Sequence, residues 1–537
     1  SWTCDGSPEY SMQPIEKDRR GTDIILYIDD DNKDFLEQAR IDTLLKKYCR
    51  FLPVPVISGK EQEWKDGKYV DSDRDKVINN TEPEWTKKPS ELTDDDYRRF
   101  YRELYPGQDD PLFWIHLNVD YPFTLTGILY FPKLKNNIDI QRNRIQLYCN
   151  QVFVTDSVEG VVPEFMMLMQ GVIDSPDIPL NVSRSYLQSD PAVKKISTYI
   201  TRKVADRLEE LFKADRAEFE KKWDDIKVFI EYGMLTDEKF CERAMKFVLV
   251  KDTAGKYFTL EEYRTLIEAS QTDKDGNVVY LYTTDPVAQY NYVNEAVDRG
   301  YDVLVMDGQL DSHFIGLLEQ KLEKSHFVRV DSDVIDNLIR KEDRKASDLT
   351  PTQRNILTTV FKSQIPAVDK AEFLVSFEAL AHDAAPVMIT QNEYMRRMKD
   401  MAAMQPGMAS IYGELPDSYN LIVNTEHTLI KEIKDSADKA LVGQVAPMES
   451  DIEKNNADIT ALRDANKDKT MSEDDKKKMS ELEANVNRLR DDENRIISEY
   501  ASGQAKVKQL IDLALLGNGL LKGQDLSSFI RRSIKLL

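Results

Sequence analysis

One arginine in this chain stands where a charged side chain can do chemistry. Arg184 lies in VVPEFMMLMQGVIDSPDIPLNVSRSYLQ, Val161 to Gln188, together with Asn181, Ser183 and Gln188. A guanidinium is planar, permanently charged and able to grip a phosphate or a carboxylate with two parallel bonds. It can equally cap a helix or pair with a surface acid, as most surface arginines do. The neighbouring residues determine how it is held. Val162, Phe165, Met166 and Met169 have helical spacing and predict a helix over Val161 to Ile173. Pro176 and Pro179 then enforce an extended loop. Asp190-Pro191 supplies a cap and a first helical residue. Val193, Ile196, Ile200, Val204, Leu208 and Leu211 form one face of the long helix that follows.

A second pattern is NEYMRRMKDMAAMQPGM, which spaces Met395, Met398, Met401 and Met404 three residues apart. Methionine is flexible and polarisable, so such a stripe can adapt to many apolar partners. Arg396, Arg397 and Lys399 would keep it soluble if exposed. As a bare pattern it is more often core. Metal chemistry finds no support. The five histidines (His116, His313, His326, His382, His427) have no ligand spacing. The four cysteines (Cys4, Cys49, Cys149, Cys241) form no CxxC pair and read as reduced core or surface residues.

The chain has 537 residues, enough for three or more domains. With 73 basic and 95 acidic side chains its net charge is −22, which argues against nucleic acid and anionic membranes as partners. No apolar run approaches the length of a membrane span. No signal peptide stands at Ser1, and cysteine usage points to the cytoplasm.

The pattern predicts an α/β (α+β) multidomain chain: two α/β middle subdomains, then a mostly helical dimerisation domain. Ile24, Leu26 and Ile28 alternate as a strand, and residues 58–84 read as a charged linker. Residues 85–225 mix strands at Phe113 to Val119, Thr124 to Phe131 and Arg144 to Val154 with helices. Within 226–345, Val278 to Tyr282, Val303 to Met306 and Phe327 to Val330 alternate with helices, implying βαβ units on a parallel sheet. Asp307-Gly308, after the second of these strands, reads as a turn. Residues 346–537 close the chain, with a helical hairpin expected over 448–500 and Ser472 capping its second helix through Asp475. Two last amphipathic helices carry Val507, Leu510, Ile511, Leu515, Phe529, Ile530 and Ile534. They are short enough to need cover from their own domain or from a symmetry mate in a four-helix bundle.

GVIDSPDIPLNVSRSYLQ resembles the catalytic-loop segment of the heat shock protein 90 chaperones, in particular the bacterial HtpG branch. RGTDIILYI (Arg20 to Ile28) is similar to the last strand of the family's nucleotide-binding domain, so residues 1–57 read as that domain's C-terminal part. KYCRFLPVPV, WTKKPSELTDDDYRRFYREL, LYFPKL, IQLYCNQVFVTD, EFMMLMQGVIDS, KVFIEYGMLTDEKF and DLALLGNGLL follow in the family's order.

The resemblance implies a stress-response chaperone that remodels unfolded or partly folded clients in an ATP-driven dimer clamp, with ATP and Mg²⁺ as cofactors of the intact protein and co-chaperones as possible partners. It gives Arg184 a contact with the γ-phosphate of ATP, with Asn181 and Gln188 shaping the loop, and gives Thr22 a nucleotide contact. Most of the family's pocket motifs are not in this sequence, so no cofactor and no ATPase activity are expected of this chain alone. Met395, Met398, Met401 and Met404 become client-facing, and Leu510, Leu515, Phe529, Ile530 and Ile534 become dimer contacts. Where many relatives carry a Trp before the first middle-domain strand this chain has Gln108; Trp114 is the substitute client contact. A nucleotide-independent holdase or dimeric scaffold is the alternative. A small-molecule enzyme built on the parallel sheet lacks a catalytic set.

Overall fold

The computed structural model describes residues 1–65, 67–133, 145–156, 158, 160–178, 190–340, 347–403, 416–467 and 472–536. They form two compact units. The first comprises Ser1–Pro132, Ile140–Val162 and Met167–Tyr199, and the second Lys133–Asp139, Pro163–Met166 and Ile200–Leu537.

The first unit begins with a small antiparallel hairpin, β1 (Trp2–Cys4) and β2 (Tyr10–Met12). The strand expected over Arg20 to Ile28 does not form. Ile24, Ile25, Leu26 and Tyr27 are irregular and 72–92% exposed. A strand needs a neighbour to take its backbone bonds, and none of the described residues pairs with this stretch. Helix α1 (Gln38–Tyr48) follows. The expected charged linker holds an exposed antiparallel hairpin, β3 (Ile57–Lys65) with β4 (Lys68–Val77). Cross-strand pairs hold it together: Lys60 with Asp75 at 2.7 Å, Arg74 with Glu61 and Glu63 at 3.1 Å each, and Trp64 edge-on to Tyr69.

Helix α2 (Asp94–Leu104) starts at a capping box in which Thr93 and Asp96 satisfy each other's backbone donors. Its buried face, Tyr97, Phe100, Tyr101 and Leu104, packs with Phe51, Trp85, Tyr130 and Tyr148. The main sheet has the order β5 (Phe113–Val119), β6 (Leu125–Phe131), β9 (Gln170–Asp174), β7 (Ile145–Cys149), β8 (Val152–Thr155). Strand β5 buries alternate residues, as an edge strand with one covered face should. Central β9 is buried at every position. Gly171 belongs there for lack of room: a Cβ would lie 2.0 Å from the Ile128 carbonyl oxygen. The expected single strand Arg144 to Val154 is two strands folded at Asn150 and Gln151, both at positive φ. The helix expected over Val161 to Ile173 reduces to one 3₁₀ turn, Glu164–Leu168, and β9. Residues buried all round have no amphipathic period, so apolar spacing could not separate strand from helix here. Helix α3 (Pro191–Ala214) follows the loop.

In the second unit α4 (Arg216–Thr236) and α5 (Glu238–Ala244) bury Phe229, Ile230 and Phe240 around Phe165. A Cβ on Gly233 would collide with the Phe240 ring at 2.7 Å. After the hairpin β10 (Leu249–Lys251), β11 (Tyr257–Thr259) and helix α6 (Leu260–Ile267), the expected parallel sheet is present. Its order is β13 (Val303–Val305), β12 (Val278–Thr283), β14 (Ser325–Arg329), crossed over by α7 (Tyr290–Asp298) and α8 (Asp311–Lys321).

The terminal part adds a mixed sheet, β15 (Ala371–Glu378), β17 (Asp417–Asn424), β16 (Val387–Gln391). Helices α9 (Pro351–Lys362), α10 (Glu393–Ala403) and α11 (Thr428–Ala437) accompany it. Then come the long pair α12 (Gly443–Ala465) and α13 (Glu473–Ser502), and the final pair α14 (Ala505–Gly517) and α15 (Gly523–Leu536). The long pair is stitched by Ile452, Ile459 and Val486 with Met479, Leu482 and Leu489 around them. Ser472 caps α13 by accepting from the Asp475 amide at 3.1 Å. Among the described residues, no helix is long and apolar enough to cross a membrane.

Candidate functional site

Arg184, Asn181 and Gln188 lie outside the described residues, but the chain on either side of them is firmly set. Upstream, Ser175 Oγ donates to the Thr124 carbonyl at 2.6 Å, the Thr124 amide donates to Asp177 at 2.7 Å, and Ile178 is buried. One residue earlier, Asp174 ends β9 and accepts from Trp85 Nε1 at 3.2 Å and from the Gln151 amide at 2.9 Å. Burial pushes the Asp174 carboxyl above its ordinary value, and those two bonds only partly offset the rise. Downstream, the predicted Asp190 cap is present: its carboxylate accepts from the Ala192 amide at 2.7 Å and the Val193 amide at 3.3 Å. Val193, Ile196, Ile200, Val204 and Leu208 are buried along α3.

Thr22 is exposed in the irregular stretch before α1. Trp114 sits on β5, half-buried, stacked on Tyr97 at 5.0 Å with the Arg98 guanidinium 5.7 Å from its ring centroid. Gln108 has a job that the sequence did not announce. Fully buried Gln170 accepts from Tyr101 Oη at 2.6 Å and donates to Gln108 Oε1 at 3.0 Å. The Gln108 side chain thereby satisfies a buried amide.

In the second unit Met395 and Met398 lie half-buried on α10, and Tyr394, just before Met395, is 70% exposed. Met401 lies on the same helix; its side chain and all of Met404 are outside the described residues. The three cations of this helix do more than keep it wet. Arg397 Nη1 donates to Glu319 Oε2 at 2.9 Å, and Nη2 donates to the Phe327 carbonyl and pairs with Glu393, both at 2.5 Å. Arg396 Nη1 donates to Gln391 at 3.1 Å, and Lys399 Nζ to Asp417 at 2.6 Å. Burial raises the Glu393 carboxyl, and the Arg397 charge opposes that rise.

The final helices divide the expected dimer contacts. Val507, Ile511, Leu515 and Phe529 are buried in the core of their own domain. Leu510 is half-buried against that core. Ile530 and Ile534 are 47% and 65% exposed, and Leu513 and Leu516 are 54% and 39% exposed. All four lie on α14 and α15.

A cavity of about 500 Å³ is lined by Trp223, Lys227, Glu231, Asp307 and Phe314. Lys227 is a cation of its wall. Lys227 Nζ donates to Asp311 at 2.8 Å and lies 3.7 Å from Glu231, whose carboxyl burial drives well up. The Asp307-Gly308 turn is closed by Asp311, which accepts from the Gly308 amide at 2.9 Å. Among the described residues no cluster of His, Cys, Asp or Glu is arranged to hold a metal ion.

Comparison with known proteins adds an independent line. A family model described as "Hsp90 protein" matches residues 58–446. The "Chaperone protein htpG" of Bacteroides fragilis is 58% identical over 543 residues, covering 100% of this chain and 79% of that protein. The proteins of the same name from Bacteroides thetaiotaomicron and Porphyromonas gingivalis are each 57% identical at the same coverage.

Proposed function

This chain belongs to the heat shock protein 90 family, and from that premise we propose that it is a cytoplasmic, homodimeric molecular chaperone that captures unfolded or partly folded polypeptides. The chaperone reading is supported by the name shared by relatives 57–58% identical along the whole chain. The observation that carries it in the molecule is α10, whose cations are engaged with the protein body while Tyr394, Met395 and Met398 keep surface of their own. An adaptable apolar strip on an otherwise acidic, soluble protein is suited to many clients rather than one.

For the working cycle we propose an ATP-driven clamp. Within this chain the contribution is Arg184, as a charge for the phosphates, with Asn181 and Gln188 as its supporting residues. In any form of the protein that hydrolyses ATP, Arg184→Ala lowers turnover by roughly ten- to a thousand-fold while ADP affinity stays level. Equal turnover would favour the alternative, a nucleotide-independent holdase or dimeric scaffold.

The capture step is tested by aggregation of a denatured model enzyme in the presence of the chain. Replacing Met395 and Met398 with Ser should weaken protection while leaving the melting midpoint in place. A large fall in the midpoint would mean that the two methionines are core, since each buried side chain lost costs about 2–5 kcal/mol.

A further inference from the structure

Helix α10 divides by charge into an anchored side and a free side. An α-helix turns by about 100° per residue, so the positions of its side chains around the axis follow from their numbers. Lys399, Arg396, Glu393 and Arg397 fall within an arc of about 160°, and each is bonded to a residue outside the helix. Tyr394, Met398 and Met395 share about 100° of the remaining circumference. Arg397 is the central anchor. Its guanidinium reaches three elements of the parallel-sheet subdomain: Glu319 on α8, the Phe327 carbonyl on β14 and Tyr282 Oη on β12, the last at 3.4 Å. Glu393, one turn earlier, accepts from the Arg329 amide at 3.3 Å and from Tyr282 Oη at 3.3 Å. A single helix of the terminal domain is thereby tied to the neighbouring subdomain at two successive turns.

We infer that Arg397 is a positioning residue for client capture: its bonds to Glu319, Phe327 and Tyr282 pin α10 and hold the Tyr394–Met395–Met398 arc outward. This rests on the reading of α10 as the client-facing helix. The physical benefit is preorganisation. An apolar strip that is already ordered does not have to be immobilised when an unfolded chain arrives, so more of the contact energy appears as affinity. A guanidinium suits the task because its fork serves a carboxylate, a carbonyl and a ring at once, which a lysine cannot do.

The test measures binding of a permanently unfolded, fluorescently labelled polypeptide to the full chain, with hydrogen exchange across 393–403. Arg397→Met keeps much of the side-chain volume and removes the bonds. It should weaken binding by about tenfold and speed exchange in α10, with Arg397→Lys recovering part of the loss. Unchanged binding in Arg397→Met overturns the positioning role. If Arg397→Met lowers the melting midpoint substantially, Glu319→Gln decides instead, since it removes one partner's charge while keeping its shape. A smaller loss in the same direction then supports the role, and no loss overturns it. The parent reading fails separately: if replacing Met395 and Met398 with Ser leaves binding intact, α10 is not the client face, whatever Arg397 does.

Discussion

The sheet-and-helix core of the first unit and the last two helices of the second handle apolar side chains in opposite ways. Around β6 and β9 most large side chains are enclosed, and several polar groups there are bonded: Trp85 to Asp174, Tyr101 to Gln170, Tyr130 to the Tyr97 carbonyl. On α14 and α15 the inward faces are equally well sealed, yet Leu513, Leu516, Ile530 and Ile534 remain 39–65% exposed. A core that closes on itself serves stability. A pair of helices that closes and still presents four large aliphatic residues has surface left for a partner. The same sequence alphabet produces both, and the difference is how far the apolar stripe extends around each helix.

The comparison sharpens first at Trp85. Trp85→Ala removes a fully buried ring and leaves Asp174 without its indole donor, so the first unit should lose about 3–5 kcal/mol and unfold at lower denaturant. Paired serine substitutions at Leu513 and Leu516 should leave the intrinsic stability of the fold within about 0.5 kcal/mol, measured at concentrations where the chain is monomeric. Comparable losses in the two regions would erase the distinction.

A smaller effect probes the enclosed region through its buried acid. Burial holds the folded Asp174 carboxyl above its ordinary value of about 3.8, so the folded state binds its proton more tightly than the unfolded state. The associated stability is fully present below about 3.8 and is lost as pH rises through the raised folded value. Asp174→Asn can still accept from Trp85 and from the Gln151 amide but cannot ionise. Its stability relative to wild type should therefore rise with pH over that window and level off above it. A flat difference in urea midpoints would mean that Asp174 ionises in the fold without cost. Smaller still, Gln108→Ala should cost about 1 kcal/mol by leaving the Gln170 amide short of a partner.

Much of this fold was legible because period and burial agree. Strand β5 alternates and one of its faces is covered; the runs at β12, β13 and β14 are short and apolar, and helices separate them. Asp190 and Ser472 cap the helices that they were expected to start. Legibility failed where a pattern has no partner or has partners on every side. Arg20 to Ile28 alternates like a strand but has no ladder among the described residues, while Val161 to Ile173 is enclosed, so its spacing lost meaning.

The sites were harder to read for a related reason. Arg396, Arg397 and Lys399 looked like solubilising charges, because the carboxylates and carbonyl that hold Arg397 come from residues 319, 327 and 393, two of them distant in sequence. On α14 and α15 the sequence identified apolar positions without showing which of them the domain itself consumes. Leu515 and Phe529 face inward, and Leu513 and Leu516 are the exposed leucines of α14. A helix that is apolar around most of its circumference has to be seen folded before its free side can be named.

The most direct measurement of the central contrast is molar mass by light scattering over a range of concentrations. One sample is the unmodified chain, and the other carries serine at Leu513, Leu516, Ile530 and Ile534. If the exposed faces of α14 and α15 are a two-fold interface, the unmodified chain has twice the 62.0 kDa of a single chain and the variant has 62.0 kDa with its fold intact. A monomeric unmodified chain, or a variant that stays dimeric, would contradict the account and move the interface to another part of the molecule.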